Sequence, residues 1–226
     1  GYLTKELRQM ASRIRSSMFV DQADADELLK RVQIHEPQRK PIVSDTFEVI
    51  GQALVHRQRV RIVYYSESKK EETRRVVSPM RLNYYRNRWY LDAWCHERGA
   101  LRSFNVENIR YADIMQMGVK VVPMKTVEAE LDRYYGMYRS GDLQWARIRF
   151  AGAASKIASQ VVWHPDQMEI WLKDDLYELT IPYSGNSPEL VGDILRYGPA
   201  AKVVEPESLK DQVREALEAS LKNYSK

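Results

Sequence analysis

The sequence predicts an α+β protein: helices first, then a module of short antiparallel strands, then a second module that interleaves strands with helices. Three observations predict it. Apolar residues recur at helical spacing early in the chain and at a spacing of two from Arg59 onward. Five short strand patterns follow one another between Arg59 and Met115, separated by tight polar turns. Beyond Pro123, strand patterns and helix patterns alternate, and the chain closes on an amphipathic helix.

Leu3, Leu7, Met10, Ile14 and Met18 fall three and four apart, which places them on one helix face. Asp24 to Val32 reads as a second short helix, and Glu36-Pro37-Gln38-Arg39-Lys40-Pro41 as a linker. Residues 1–43 are therefore expected to form a helical connector. Asp45 opens the next helix, with Glu48 completing a capping box and Phe47, Ile50 and Leu54 as its buried face.

Val60, Ile62 and Tyr64 alternate with Arg59, Arg61 and Val63, the pattern of a strand with unlike faces. Ser66 to Thr73 reads as a polar hairpin loop. Further strands are predicted at Arg74–Ser78, Arg88–Trp94, Leu101–Val106 and Asn108–Met115, with turns at Asn83–Asn87 and Glu97–Ala100. Five short strands joined by tight turns predict a small, strongly bent β-barrel over residues 44–122. Trp89, Leu91, Phe104 and Val106 are its expected core.

Thr126 to Tyr135 is expected to be a bridging helix ended by Gly136, within a linker at 123–143. Over 144–226 strands are predicted at Gln144–Phe150, Val161–His164, Met168–Lys173, Leu176–Pro182 and Ala201–Val204. Helices are predicted at Ala153–Gln160 and Pro188–Tyr197, the second closed by Gly198. The order strand-helix-strand-strand-helix-strand predicts a ferredoxin-like βαββαβ domain. Leu209, Val213, Leu217 and Leu221 give the final helix its apolar face.

Charge is distributed unevenly. From Arg57 to Arg110 there are 13 Lys/Arg, 11 of them Arg, against 6 Asp/Glu, whereas the whole chain carries only +4. Arginine is the cation suited to forked contacts with phosphate and to stacking on rings, so this module predicts an anionic, nucleotide-like ligand. Arg81, Arg102 and Arg110, with Ser78 and Tyr90, offer the donors and hydroxyls that a phosphodiester accepts. Arg88 shares a strand face with Tyr90, and Arg102 shares one with Phe104 and Val106.

Other chemistries lack a signature. The single Cys95 excludes an internal disulfide and fits a reducing, cytoplasmic compartment. No apolar run approaches the roughly 20 residues of a membrane span, and the start carries no charged-then-apolar signal segment. His35, His56, His96 and His164 lie in separate segments, without the spacing of metal ligands. Cys95 and His96 are strand neighbours and point to opposite faces, which argues against a nucleophile and its base. There is no dinucleotide or Walker glycine loop. No catalytic residue, metal or cofactor is expected.

Ser78-Pro79-Met80-Arg81-Leu82, Arg88-Trp89-Tyr90-Leu91-Asp92-Ala93-Trp94-Cys95, Arg102-Ser103-Phe104 and Asn108-Ile109-Arg110 together resemble a WYL domain, in order and spacing, across roughly Asp45 to Met117. The resemblance implies an Sm/SH3-like β-barrel from a bacterial transcription regulator that senses nucleic-acid fragments or nucleotide-like effectors. It puts the ligand-facing positions at Tyr64, Ser78, Arg81, Tyr90, Arg102, Phe104 and Arg110. Tyr197-Gly198-Pro199 and Val203-Val204-Glu205-Pro206, with the closing helix, are similar to the WCX extension that accompanies such domains. That likeness implies a homodimer. It also implies operator DNA bound through an N-terminal winged helix-turn-helix that this sequence does not contain, with Gly1 to Met18 as the connector after it. Two other readings stay open: a basic module that docks an acidic protein, and a nucleotide-processing enzyme. On the first reading, Arg81→Ala and Arg102→Ala are expected to weaken oligonucleotide binding and leave stability nearly unchanged.

Overall fold

The computed structural model describes residues 45–67, 69–139 and 141–225. The expected connector at 1–43, with its two helices and its Pro-rich linker, lies outside the described residues. The rest begins with α1 (Asp45–His56), which lays Ile50 and Ala53 into the first core. Phe47 and Leu54 pack at the rim of that core rather than inside it.

Five strands follow: β1 (Gln58–Ser66), β2 (Glu71–Tyr85), β3 (Arg88–Cys95), β4 (Ala100–Asn105) and β5 (Ile109–Gly118). They pair antiparallel in the order β4-β3-β2-β1-β5. No ladder joins the outer strands β4 and β5 to each other among the described residues, so the expected closed barrel is an open sheet. Register shifts at Pro79/Arg81 and at two points along β1 and β5 strengthen the twist and bend the sheet short of closure. Val60, Ile62, Val77, Leu91, Ala93, Cys95, Phe104, Val106 and Ile109 fill the core under α1, confirming Leu91, Phe104 and Val106 as interior. Trp89 is half-buried at its edge, with its ring against Phe47 and Tyr84.

Several boundaries differ from expectation. β2 starts at Glu71, pairing Glu71 with Ser66, so the hairpin loop is shorter than Ser66–Thr73. The same strand runs through Pro79 to Tyr85 instead of stopping at Ser78. Proline lacks an N–H and breaks most ladders; here the shift between Pro79 and Arg81 absorbs it. The turn into β3 is only Arg86-Asn87, both at positive φ (49° and 60°), as a two-residue hairpin of the I′ kind requires.

α2 (Met124–Leu131) is shorter than the predicted Thr126–Tyr135 helix. It closes at Asp132, while the Tyr135 N–H donates instead to Pro182 O at 2.9 Å in the second sheet. Val127 and Leu131 of this helix pack on Leu101, Met80 and Trp94, covering part of the sheet face opposite α1.

The second sheet contains β6 (Leu143–Ala151), β7 (Met168–Lys173), β8 (Leu176–Ser184) and β9 (Ala201–Glu205), in the order β7-β8-β6-β9 and antiparallel throughout. α3 (Ala153–Ala158) and α4 (Pro188–Arg196) complete the order β-α-β-β-α-β, and α5 (Glu207–Lys222) follows. Val161–His164 is not a strand. The Gln167 side chain accepts from the N–H groups of Trp163 (2.6 Å) and His164 (3.2 Å), and the Trp163 indole donates to Ala158 O, so these backbone groups need no ladder. Ala146, Ile148, Phe150, Tyr177, Leu179, Ile181, Tyr183 and Val203 form the core with Leu190, Ile194 and Leu209. On α5 only the start of the expected stripe is covered: Leu209 is buried and Val213 half-buried, while Leu217 and Leu221 are exposed. The described residues cluster as one compact unit.

Candidate functional site

The face of β2, β3 and β4 that points away from α1 carries a row of polar side chains whose alignment follows from register alone. Arg81 lies opposite Asp92, which lies opposite Ser103; one step along, Asn83 lies opposite Tyr90, which lies opposite Asn105. The shift at Pro79 sets Arg81 on this face; without it, strand alternation from Ser78 would turn Arg81 into the core.

Asp92 is the centre of the cluster. It has no exposed surface, and its carboxylate accepts from Arg81 Nε (2.8 Å), Asn83 Nδ2 (2.7 Å), Arg139 Nη1 (3.2 Å) and the Ser103 hydroxyl. A fully buried carboxylate is costly unless paired and hydrogen-bonded, and this one is both. Arg139 comes from the segment after α2 and also donates to Ser103 Oγ at 2.6 Å. The remaining nitrogens of Arg81 fork onto both oxygens of Asp132, the C-cap of α2, one of them at 2.8 Å; Arg139 Nη2 approaches the same carboxylate at 3.4 Å. The hydrogen bonds that Arg81 donates to Asp132 are the main reason its guanidinium is held still more firmly charged, whereas burial is the main influence lowering the pKa of Arg139. The Arg139 Nε is buried without an acceptor among the described residues.

Beside this quartet the two sheets meet. Arg86 donates to Tyr135 Oη (3.0 Å) and to Asp193 of α4 (2.5 Å), and Tyr135 Oη donates to the same carboxylate at 2.5 Å. Glu189 Oε2 accepts from the backbone of Met137 (2.7 Å) and Tyr138 (3.1 Å). Gly136 permits this approach. Its φ is +76°, and a Cβ there would stand 1.9 Å from Glu189 Oε2. Burial first, and the Glu189 charge second, raise the pKa of the Tyr90 phenol and push that of Tyr85 up to about 12. His164 Nδ1 accepts from the Asp166 N–H, so its Nε2 carries the proton that goes to Asp132 O at 3.0 Å.

The predicted ligand positions divide between environments. Arg81, Arg88 and Tyr90 share the polar face, Arg88 lying 4.0 Å from Glu107. Ser78 is on that face too but fully buried, its hydroxyl between His96 Nε2 and the Lys120 N–H, each at 2.9 Å. Tyr64 and Phe104 meet edge to face at 5.2 Å on the opposite, core side. Burial raises the Tyr64 pKa, with opposing help from Asn108 and Asn105. Arg102 is exposed on β4, and Arg110 on β5 lies over the Tyr65 ring at 5.4 Å. The eight residues therefore do not share one face of the sheet. Sequence reasoning missed Asp92, Ser103, Asp132 and Arg139. Asp92 and Ser103 were reachable from strand alternation with Tyr90 and Arg102, whereas Arg139 sits in a segment without any period.

Among the described residues no group of three or more His, Cys, Asp or Glu is placed to hold a metal ion, and no helix is long and apolar enough to cross a membrane. Comparison with known proteins matches the WYL domain to residues 45–114 and the WCX domain to residues 142–221. Protein PafC of Mycobacterium tuberculosis is 27% identical over 190 residues, covering 83% of this chain and 57% of PafC. The DNA-binding transcriptional repressor CapW of Escherichia coli is 32% identical over 66 residues, 29% of this chain and 22% of CapW. A crystal structure of a CRISPR Cas-related protein superposes with a TM-score of 0.50 at 14% identity, covering 79% of this chain and 51% of the other, a likeness of fold. The chain spans little more than half the length of PafC. With both domains matched in their own order, the chain belongs to the WYL-domain family, its WYL domain followed by a WCX domain.

Proposed function

We propose that this chain is the effector-sensing part of a bacterial transcription regulator, and that the effector is a nucleic-acid fragment or nucleotide-like anion taken up on the polar face of the WYL domain. The observation that carries the reading is the pair Arg81 and Arg139. Two guanidiniums, one from the WYL sheet and one from the segment after α2, converge on one spot. A phosphate there bridges the WYL sheet and the segment leading to the WCX domain. Arg88 and Tyr90 lie along the same face, and Arg102, exposed on the other face of the edge strand β4, supplies a cation to a longer strand that wraps that edge, as does Arg110 on the edge strand β5.

Relatives give partial support. CapW is named a DNA-binding transcriptional repressor, which favours operator DNA as a partner of the regulator. The strand order β5-β1-β2-β3-β4 supports the Sm-like reading of the first domain, and the order β7-β8-β6-β9 supports the ferredoxin-like reading of the second. Exposed Trp145, Met168, Ile170 and Trp171 on the WCX sheet favour a homodimer through that domain.

Fluorescence anisotropy with a labelled single-stranded DNA across a salt series tests the reading. Wild type is expected to bind with a strong salt dependence, each lost phosphate contact reducing the slope by roughly 0.7. Arg88→Ala and Arg102→Ala are expected to weaken binding without unfolding the protein. Binding unaltered in both, or displacement by heparin as readily as by DNA, would favour a protein-docking module instead.

A further inference from the structure

The anion site at the domain junction already holds an anion, and it belongs to the protein. Asp132 fills the Arg81 fork with the planar, two-oxygen geometry that guanidinium offers to carboxylate and phosphate alike. Its own helix does not favour it there. Asp132 caps the C-terminus of α2, where the helix dipole is negative and a carboxylate is disfavoured. The residue is held by Arg81 and Arg139 against that field. It is also the most exposed of the four charged groups: its side chain is 45% exposed, against 20% for Arg81, 9% for Arg139 and 0% for Asp92. The cluster is short of acceptors as well, since Arg139 Nε is buried without one. A phosphate offers more oxygens than a carboxylate and suits two guanidiniums better.

We propose that Asp132 is a built-in competitor that occupies the Arg81–Arg139 anion site, and that an effector phosphate binds by displacing it. This rests on the effector-sensing reading above and adds how the site is regulated. Displacement has a path to the WCX domain. The carbonyl of Asp132 accepts from His164, and Tyr135, three residues on, is bonded to Asp193 and Pro182. Moving the Asp132 side chain therefore loosens the segment that ties α2 to the second sheet. The effector shifts the equilibrium because it binds only the form in which Asp132 has left.

Asp132→Asn keeps the shape and removes the charge; Asp132→Ala removes the competitor outright. With a short 5′-phosphorylated, labelled single-stranded DNA as probe, both variants are expected to bind roughly tenfold more tightly than wild type. Arg139→Ala combined with Asp132→Asn is expected to abolish the gain. Hydrogen exchange across residues 132–139 is expected to rise in Asp132→Asn without ligand, to the level DNA produces in wild type. Circular dichroism confirms that each variant is folded. If wild type binds DNA and neither Asp132 variant binds more tightly, the competitor is refuted while the sensing function stands. If neither wild type nor the variants bind, both are refuted.

Discussion

Arg86 in the turn between β2 and β3 bonds to Asp193 of α4 at 2.5 Å while its backbone holds a φ of +49°. Glycine favours that conformation and other residues resist it, so the side chain's contacts with Asp193 and Tyr135 must outweigh a local backbone cost.

This balance predicts an order of stabilities. Arg86→Ala loses both bonds and keeps the backbone cost, lowering stability by about 2 kcal/mol. Arg86→Gly loses the same bonds but relaxes the turn, recovering roughly 1 kcal/mol. Urea unfolding reads both. Equal losses in the two variants would show that the turn carries no backbone cost.

Arg81 and Arg102, equivalent as sequence, differ in the structure. Arg81→Ala takes a principal cation from a carboxylate with no exposed surface. It is expected to cost about 2–4 kcal/mol, less than a sole partner would because Arg139, Asn83 and Ser103 remain. Arg102→Ala, at an exposed position, is expected to stay within about 0.5 kcal/mol of wild type. The expectation that both substitutions spare stability is thus narrowed to Arg102, and thermal melts of the pair decide it.

Phe150 ties the second core together, with its ring 4.9 Å from Tyr197, 5.7 Å from Trp163 and 6.3 Å from Tyr177. Phe150→Ala is expected to cost about 3–5 kcal/mol and to weaken the near-ultraviolet dichroism of the surrounding rings. A loss below about 1 kcal/mol would mean that the neighbours close over the vacated space.

His96 gives the fold a pH dependence. Burial, and then Arg59, lower its pKa below the ordinary 6.5, so across that window the unfolded chain binds more protons than the folded one. Stability is therefore complete above about 6.5 and declines as the pH falls from there through the folded-state value. The ring is also in hydrogen-bond contact with the Ser78 hydroxyl, Nε2 lying 2.9 Å from it. His96→Asn is expected to flatten this part of the profile, measured as melting temperature against pH.

Periodicity made most elements legible. Alternation from Arg59 to Tyr64 and from Arg88 to Trp94 gave the strands and their faces, and Met168–Lys173 was placed to the residue. What failed depended on contacts that sequence order hides. Val161–His164 has the composition of a strand, but Gln167 satisfies its backbone from a few residues away. The expected site was drawn from arginines and rings because these stand out in a sequence. Asp92 and Asp132 decide where Arg81 points, and a carboxylate among many gives no sign that it will be buried. Arg139 was unreadable for another reason: only the folding of α2 against the first sheet brings it to Asp92.

The irregular step at Pro79 has a genetic consequence. One residue too many lies between Ser78 and Arg81, so odd-numbered and even-numbered positions exchange sides there. Deleting the single codon for Met80 would restore perfect alternation and leave Arg81 opposite Asp92, Leu82 opposite Leu91 and Asn83 opposite Tyr90. The polar row would survive a frame-preserving loss, and what would go is the side chain that Met80 packs on Leu101, Val127 and Leu131.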